Sequence, residues 1–236
     1  MANRLFAGVI ALILSLTSPV MAQDKAAVER QFQSWLQKTV WPQARAKGVS
    51  RKTFEAAFDD VTLNWDLPDL VPPGTRAETP KKQRQAEFGS PASYMRGKAL
   101  SDATSMGQSM AKRHASALKT AEARSGVPSR IVLAIWGRET GYGRVPIKYD
   151  AFRVLGTKGF MSTRAAYFTD ELIAALQIKQ KGYVSGPLKS SWAGALGQPQ
   201  FMPTNFLKYA TDGDGDGRRD IWGSQADTFA SISAYL

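Results

Sequence analysis

The chain has 236 residues, a formal net charge of +11, one histidine and no cysteine. The lack of thiols excludes disulfide bonds, thiolate zinc sites and cysteine nucleophiles. The single histidine, His114, lies in a polar stretch, where a solvent-facing helical position is favoured over a Ser-His-Asp role. Any chemistry must therefore use carboxylates, hydroxyls, amides or an oxygen-bound metal, and no organic cofactor is expected.

The first 22 residues have the pattern of a secretory signal peptide. Arg4 supplies positive charge, residues 5–16 form an apolar run too short to span a bilayer, and residues 20–22 offer a small-residue cleavage site. A buried N-terminal helix is disfavoured because the run is not amphipathic. No cysteine follows it for lipid attachment, and no later stretch is apolar enough for a transmembrane span. The sequence thus predicts a periplasmic or exported protein without a lipid anchor.

The excess of positive charge suits polyanionic partners, which include nucleic acid, anionic lipid and the carboxylate-bearing peptide stems of the cell wall. Export argues against nucleic acid. Lysine and arginine are also scattered along the chain, which favours a solvated basic surface over a dedicated binding patch.

The N-terminal third of the mature chain predicts a helical lobe followed by a connector, over residues 23–89. Apolar residues recur at helical spacing in residues 26–46, and a short helix is expected over residues 51–59. Residues 66–92 are rich in proline, which is typical of an extended connector at a domain boundary.

Three longer helices are predicted after the connector. The first runs from about 91 to 124 and is stopped by Ser125 and Gly126. Ser129 is the expected N-cap of the second, residues 130–138, whose apolar composition predicts burial on most sides. Thr169 is the expected cap of the third, residues 170–181, which Gly182 ends. Because alternating strand patterns are few, the fold class is expected to be mainly helical.

Glu139 stands out because it is an acid at the C-terminal end of an apolar helix, just before a glycine turn. Desolvation and the negative pole of the helix both disfavour a carboxylate, so they raise its pKa towards the range that a general acid needs. The alternative is a structural carboxylate that caps a backbone N–H or pairs with Arg138 or Arg144.

Three segments downstream of the Glu-Thr-Gly-Tyr-Gly turn strengthen this interpretation. They are the small-residue run 191–203, which ends in Pro-Gln-Phe-Met-Pro, the acidic loop 212–222 and residues 227–235. Together with the turn, they resemble the catalytic domain of the membrane-bound lytic transglycosylase B family of bacterial murein hydrolases. The resemblance covers residues 90–236 strongly and residues 23–89 loosely. It implies a mainly α, lysozyme-like α+β catalytic domain over residues 90–236, which is expected to be truncated at its C-terminus.

The resemblance also implies a reaction and its residues. Glu139 is the single catalytic acid and then base, assisted by the N-acetyl group of the substrate. The bond between N-acetylmuramic acid and N-acetylglucosamine in peptidoglycan glycan strands is broken, and a 1,6-anhydro ring forms without water, so the enzyme is a lyase. The polar residues of the substrate cleft are Ser191, Gln200, Tyr94 and Tyr235.

Other interpretations of these residues stay open. Gly194, Ala195 and Gly197 suit either close approach of a sugar to the backbone or tight internal packing. A tyrosine at helical spacing is more often a core residue than a sugar platform. Asp150, Asp170 and Glu171 are expected in a loop or an exposed first turn, yet a muramidase-type hydrolase with a hidden second acid is the alternative enzyme.

The acidic loop begins like an EF-hand, with Asp212, Asp214, Asp216 and Gly217 at the expected spacing. Its twelfth position is Gly223 instead of glutamate, so the closing carboxylate is missing from the loop itself. The resemblance supplies Asp227 as the last ligand and the carbonyl of Arg218 as a backbone ligand of a structural calcium ion. A solvated Asp-Gly turn is the alternative.

Two functions without catalysis compete with the enzyme. A peptidoglycan-binding or scaffold protein would keep the cleft residues but would not need Glu139 in an apolar setting. A calcium-regulated structural protein would leave the 191–203 run unexplained. Glu139 therefore favours the enzyme.

Overall fold

The computed structural model of the protein describes residues 24–77 and 98–236. This part of the chain is mainly helical, as the sequence predicts. Its elements are α1 Lys25–Trp35, a π-helix Leu36–Val40, α2 Trp41–Ala46, α3 Arg51–Phe58, α4 Lys98–Arg113, α5 Ala115–Ser125, α6 Ser129–Thr140, β1 Tyr149–Asp150, α7 Ala151–Met161, α8 Ala165–Gln180, β2 Lys189–Ser190, α9 Pro203–Tyr209 and α10 Gln225–Tyr235. The two short strands pair antiparallel, with Tyr149 opposite Ser190. No helix within these residues is long and apolar enough to cross a membrane.

The N-terminal helices follow the predicted periodicity. Helices α1 and α2 continue into each other through the π-helix, and their apolar face is buried at Val28, Phe32, Leu36 and Val40. Helix α3 begins where Ser50 accepts a hydrogen bond from the backbone N–H of Thr53 at 3.1 Å. The predictions for residues 26–46 and 51–59 are thus confirmed to within a residue or two.

Two hydrophobic clusters form the interior of the described residues. The first joins the N-terminal helices to α7, α8 and α9, and it includes Leu196 and Phe201 of the 191–203 run. The second joins α4, α5, α6 and α10 around Trp136. The end of α6 and the 191–203 run therefore belong to different clusters and meet where the two adjoin. The predicted signal peptide, the predicted boundary near residue 89 and Tyr94 lie outside the described residues.

The long helix predicted up to residue 124 is wrong, because α4 and α5 are separated at His114, whose φ is −111°. The imidazole does not face solvent freely, since it packs edge-on against Trp136 and Phe229 at centroid distances of 5.5 and 5.9 Å. These partners come from α6 and α10, so the local sequence gives no sign of them. The predicted stop is confirmed, because Gly126 ends α5 in the left-handed region with φ 76°.

Helix α6 begins one residue earlier than predicted, with Pro128 as its N-cap. The hydroxyl of Ser129 is not a cap but hydrogen-bonds to the carboxylate of Glu122. Burial on most sides is also wrong, because α6 buries one face and Ile131 is exposed. The buried face consists of Val132, Trp136 and Thr140.

Helix α8 begins at Ala165, so the predicted cap Thr169 lies inside it. The hydroxyl of Thr169 donates to the carbonyl of Ala165 at 2.8 Å, which is the alternative that a threonine finds within a helix. The predicted end is confirmed, because Gly182 follows α8 with φ 66°.

Candidate active site and acidic loop

Glu139 lies in the last turn of α6, two residues before Gly141 ends the helix with φ 56°. Its side chain is exposed, so a substrate can reach the carboxyl group. Within residues 24–77 and 98–236, no hydrogen bond or salt bridge engages this carboxyl group. Partial burial raises the pKa of Glu139 above its ordinary value of 4.5, and the positive charge of Arg138 opposes that rise. The direction of the shift agrees with the prediction from the sequence.

The turn after Glu139 is fixed by Tyr142, a non-glycine residue with φ 62°. Its hydroxyl donates to the carbonyl of Ala103 in α4 at 2.9 Å, and its ring meets Trp136 edge-on at 5.5 Å. A Cβ atom at Gly137 would lie 2.5 Å from the Tyr142 ring, so this position needs glycine. Glu139 thus directly precedes a turn that Tyr142 holds against α4 and α6.

Gln198 connects this turn to the 191–203 run, and sequence reasoning missed it. Its side-chain Oε1 accepts from the indole N–H of Trp136 at 2.6 Å, and its Nε2 donates to the carbonyl of Trp222 at 2.8 Å. Its backbone carbonyl accepts from the hydroxyl of Thr140, next to Glu139, at 3.1 Å. Gln198 is 5% exposed. The end of α6 is therefore attached to the middle of the run.

The structure places three of the predicted cleft residues on or beside this run. The hydroxyl of Ser191 accepts from the backbone N–H of Ala195 at 3.2 Å. Gln200 has φ 53°, and its amide donates to the carbonyl of Gly197 at 3.0 Å. Tyr235 in α10 is half exposed and lies against Phe201 and Tyr209, at centroid distances of 5.5 and 5.0 Å.

The glycines of the run are explained by internal packing. A Cβ atom at Gly194 would lie 2.4 Å from the Leu155 side chain, and one at Gly197 would lie 2.4 Å from Ile221. Both residues also have positive φ, 90° and 60°. The protein's own side chains fill the space at these positions, which favours the packing alternative for both glycines.

Among the other acids, Glu171 differs from its prediction. It is 3% exposed, lies inside α8 and accepts from the backbone N–H and the hydroxyl of Thr204 at 2.9 and 2.8 Å. It thereby fixes the start of α9, directly after the 191–203 run. Asp150 caps α7 by accepting from the N–H of Arg153 at 2.9 Å, and Asp170 is exposed on α8.

In the acidic loop, carboxylate oxygens of Asp212, Asp214 and Asp227 lie within 4.8 Å of one another. Asp227, in the first turn of α10, is buried and accepts from the backbone N–H groups of Gly213 and Asp220 at 2.7 and 2.6 Å. Burial raises the pKa of Asp227, and the negative charges of Asp214 and Asp212 add to that rise. Three hard oxygen donors whose charges repel one another fit a divalent cation such as calcium.

The remaining predicted ligands are arranged differently. Asp212 accepts from the N–H groups of Gly217, Gly215 and Asp216, and these hydrogen bonds, that of Gly217 foremost, lower its pKa. The carboxylate of Asp216 accepts from the N–H of Arg218 at 2.8 Å and lies outside the three-carboxylate group. The assignments of Asp216 and of the Arg218 carbonyl stay predictions.

A family model described as a transglycosylase SLT domain matches residues 31–236. Membrane-bound lytic murein transglycosylase B from Escherichia coli (strain K12) is 39% identical over 114 residues, which cover 47% of this chain and 31% of that protein. The chain therefore spans less than a third of the length of this curated relative.

Solved structures show the same fold. SltB3 from Pseudomonas aeruginosa, in complex with NAG-NAM-pentapeptide, is 35% identical with a TM-score of 0.70, and the match covers 86% of this chain and 52% of SltB3. The lytic transglycosylase SLT35 from Escherichia coli, in complex with calcium, is 34% identical with a TM-score of 0.52, over 57% of this chain and 43% of SLT35.

Proposed function

The chain belongs to the transglycosylase SLT domain family, and on that premise we propose that it is a lytic murein transglycosylase. Its reaction is cleavage of the β-1,4 bond between N-acetylmuramic acid and N-acetylglucosamine, with formation of 1,6-anhydro-muramyl ends. The observation that carries this proposal is the position of Glu139, an accessible carboxyl group with a raised pKa on a turn attached to the 191–203 run.

The proposed chemistry needs only one carboxyl group. Protonated Glu139 gives its proton to the glycosidic oxygen, and the bond from this oxygen to the anomeric carbon of the muramyl residue breaks. The 6-hydroxyl of the same muramyl residue attacks that carbon and releases its proton to the Glu139 carboxylate. The acid is thereby regenerated, and no water enters the product.

A muramidase-type hydrolysis is the second enzymatic possibility, and it requires another carboxylate at about 5–9.5 Å from the acid. Two of the three acids that follow Glu139 in the sequence are poor candidates for this role. Asp150 is engaged as a helix cap, and Glu171 is buried with both oxygens bonded to Thr204. These contacts favour the transglycosylase. A non-catalytic scaffold function is disfavoured because it does not require an accessible acid at the end of α6, next to the 191–203 run.

Peptidoglycan glycan strands are the proposed substrate and partner. Ser191, Gln200, Tyr235 and, from the sequence, Tyr94 are the proposed contacts to the sugar. Support comes from the related SltB3, which is similar over most of this chain and was solved with NAG-NAM-pentapeptide. The polar groups of Ser191 and Gln200 can hydrogen-bond N-acetyl or hydroxyl groups of such a ligand.

Calcium is the proposed ion of the acidic loop, in an EF-hand-like site. Asp212, Asp214 and Asp227 would hold it, with the side chain of Asp216 and the Arg218 carbonyl as further predicted ligands. When bound, the ion neutralises the repulsion among these carboxylates and closes the loop on α10. SLT35, a relative solved with calcium, supports the identity of the ion.

Export to the periplasm by a signal peptide is the proposed localisation. Its support is the sequence alone: the charge of Arg4, the apolar residues 5–16 and the small residues 20–22. This location would bring the enzyme to its polymeric substrate.

The nature of the released ends tests the proposed function. Purified murein is digested with the protein, the muropeptides are separated by chromatography, and their masses are measured by mass spectrometry. We expect 1,6-anhydro-muramyl ends, which are lighter than reducing ends by one water. Products with reducing ends only would assign the protein to the muramidases, and an absence of digestion would leave the binding or scaffold function.

A further inference from the structure

The side chain of Gln198 bridges the two hydrophobic clusters at the candidate active site. Its Oε1 accepts from Trp136 in the second cluster, while its Nε2 donates to the carbonyl of Trp222 at the end of the acidic loop. The backbone of the same residue accepts from the Thr140 hydroxyl and donates to the carbonyl of Ile221 at 2.8 Å. One buried residue therefore holds both the helix that carries Glu139 and the loop beside it.

The amide is suited to this position because it combines a donor and an acceptor in one plane. An apolar side chain of similar size would leave the buried indole N–H of Trp136 and the partly buried carbonyl of Trp222 without these partners. Gly143 also has no room for a Cβ atom, which would lie 2.5 Å from Oε1 of Gln198. The turn after Glu139 is therefore packed directly against this amide.

The contact continues into the acidic loop. The carbonyl of Trp222 binds Gln198, while the N–H of Trp222 donates to the Asp220 carboxylate at 3.0 Å. The N–H of Asp220 in turn donates to the buried Asp227. The segment that Gln198 touches is thus itself held by a series of hydrogen bonds.

We propose that Gln198 is a positioning residue, which sets the place of Glu139 in the cleft by fixing the end of α6 against the Trp222 segment. This inference rests on the proposed function for its effect on catalysis. Gln198 touches no reacting atom in this scheme and acts through the Thr140 and Trp136 contacts of α6.

The test compares Gln198→Met with a matched control, Thr157→Val. Thr157 is 0% exposed, and its hydroxyl also makes two buried hydrogen bonds, with the N–H of Asn64 and the carbonyl of Arg153. Both variants should lose stability. Only Gln198→Met should lower kcat, by about tenfold to a hundredfold, with KM within about twofold, because a small displacement of a catalytic group costs rate more than ground-state binding.

A second readout does not depend on glycan cleavage. The pKa of Glu139 is measured by NMR titration of its labelled carboxyl carbon in the parent and in both variants. Partial burial raises this pKa, and the positive charge of Arg138 opposes the rise. We expect Gln198→Met to move the pKa of Glu139, because the protein surface that partly buries it shifts, and Thr157→Val to leave it unchanged.

Should Gln198→Met fail to fold, Thr140→Val serves in its place, because it removes the hydroxyl that donates to the Gln198 carbonyl and keeps the shape of the side chain. A folded variant with the parent kcat and the parent titration of Glu139 would overturn the proposal, as would equal losses of kcat in the control. A parent protein that does not cleave murein would instead refute the proposed function, and the titration would still decide whether Gln198 positions Glu139.

Discussion

The imidazole of His114 meets the indole ring of Trp136 edge to face, with centroids 5.5 Å apart. Burial lowers the pKa of His114 below its ordinary value of 6.5, and the charge of Arg113 lowers it further. The folded state therefore binds the proton less tightly than the unfolded state, so protonation below about pH 6.5 favours unfolding. The free energy of unfolding therefore depends on pH through His114, a residue that packs against the helix carrying Glu139.

The first prediction concerns that dependence. We expect the free energy of unfolding to decrease as pH falls from about 7 to 5, with part of the decrease due to His114. The variant His114→Gln, which does not titrate, should show a smaller decrease over the same window. Denaturant unfolding at several pH values measures it. Parallel curves for parent and variant would contradict the assignment to His114.

The second prediction concerns the catalytic acid. Glu139→Gln should retain the fold and lower the rate of murein cleavage by a factor of about a hundred to ten thousand, because the amide cannot donate the proton. Asp170→Asn is the matched control, since it also removes one exposed carboxylate, on α8, and should keep the parent rate. A Glu139→Gln protein that digests murein at the parent rate would remove Glu139 from the mechanism.

The third prediction concerns the pH dependence of catalysis. Because Glu139 must be protonated to start the reaction, kcat/KM should decrease as pH rises through its pKa, which burial places above 4.5. Arg138 lowers this pKa, so Arg138→Gln should move the descending limb to higher pH. Arg144→Gln is the control. The Arg144 side chain donates to the Gly141 carbonyl, and its replacement should leave the descending limb of the pH profile in place. A shift to lower pH with Arg138→Gln would be the wrong sign.

The fourth prediction concerns Glu171, whose carboxylate anchors the start of α9. In Glu171→Gln, the amide oxygen would still accept from the N–H of Thr204, and the amide nitrogen would donate to the Thr204 hydroxyl, so two hydrogen bonds to a carboxylate would become weaker bonds between neutral groups. The free energy of unfolding should decrease by roughly 1–3 kcal/mol. Thr204→Val, which replaces the hydroxyl by a methyl group and leaves one buried oxygen of Glu171 without its donor, should lower it as well. Equal stabilities of parent and Glu171→Gln would show that this contact contributes little.

Local signals were enough to predict much of the helical fold. The apolar spacing of residues 26–46 identifies α1 and α2, and the positive φ required at Gly126 and Gly182 marks two helix ends. Ser50 caps α3 at the predicted start. Each of these features depends on residues that are neighbours in sequence, where propensity and capping act directly.

The errors arise where distant residues decide. The break at His114 and the burial of Glu171 depend on Trp136, Phe229 and Thr204, which no local pattern reveals. Gln198 looks like any polar residue of a loop, although the residue is 5% exposed and its amide joins two clusters. The sequence offers one hint of this role, a glutamine two residues before Gln200. The hint does not identify the residues that Gln198 contacts.

The last prediction concerns the acidic loop. Calcium should bind at Asp212, Asp214 and Asp227 and raise the thermal midpoint, since it binds only the folded arrangement. At an ion concentration of a hundred times Kd the gain in the free energy of unfolding is about 2.7 kcal/mol.

Asp214→Asn should abolish most of this gain, whereas Asp216→Asn should reduce it less, because Asp216 lies outside the three-carboxylate group. Below their melting temperatures both variants should keep the parent rate of murein cleavage, because the ion would hold the loop and would not supply the acid that the reaction needs. Calorimetric scans with calcium and with a chelator measure the midpoint. A midpoint that is the same in both conditions would leave the solvated Asp-Gly turn as the explanation of this loop.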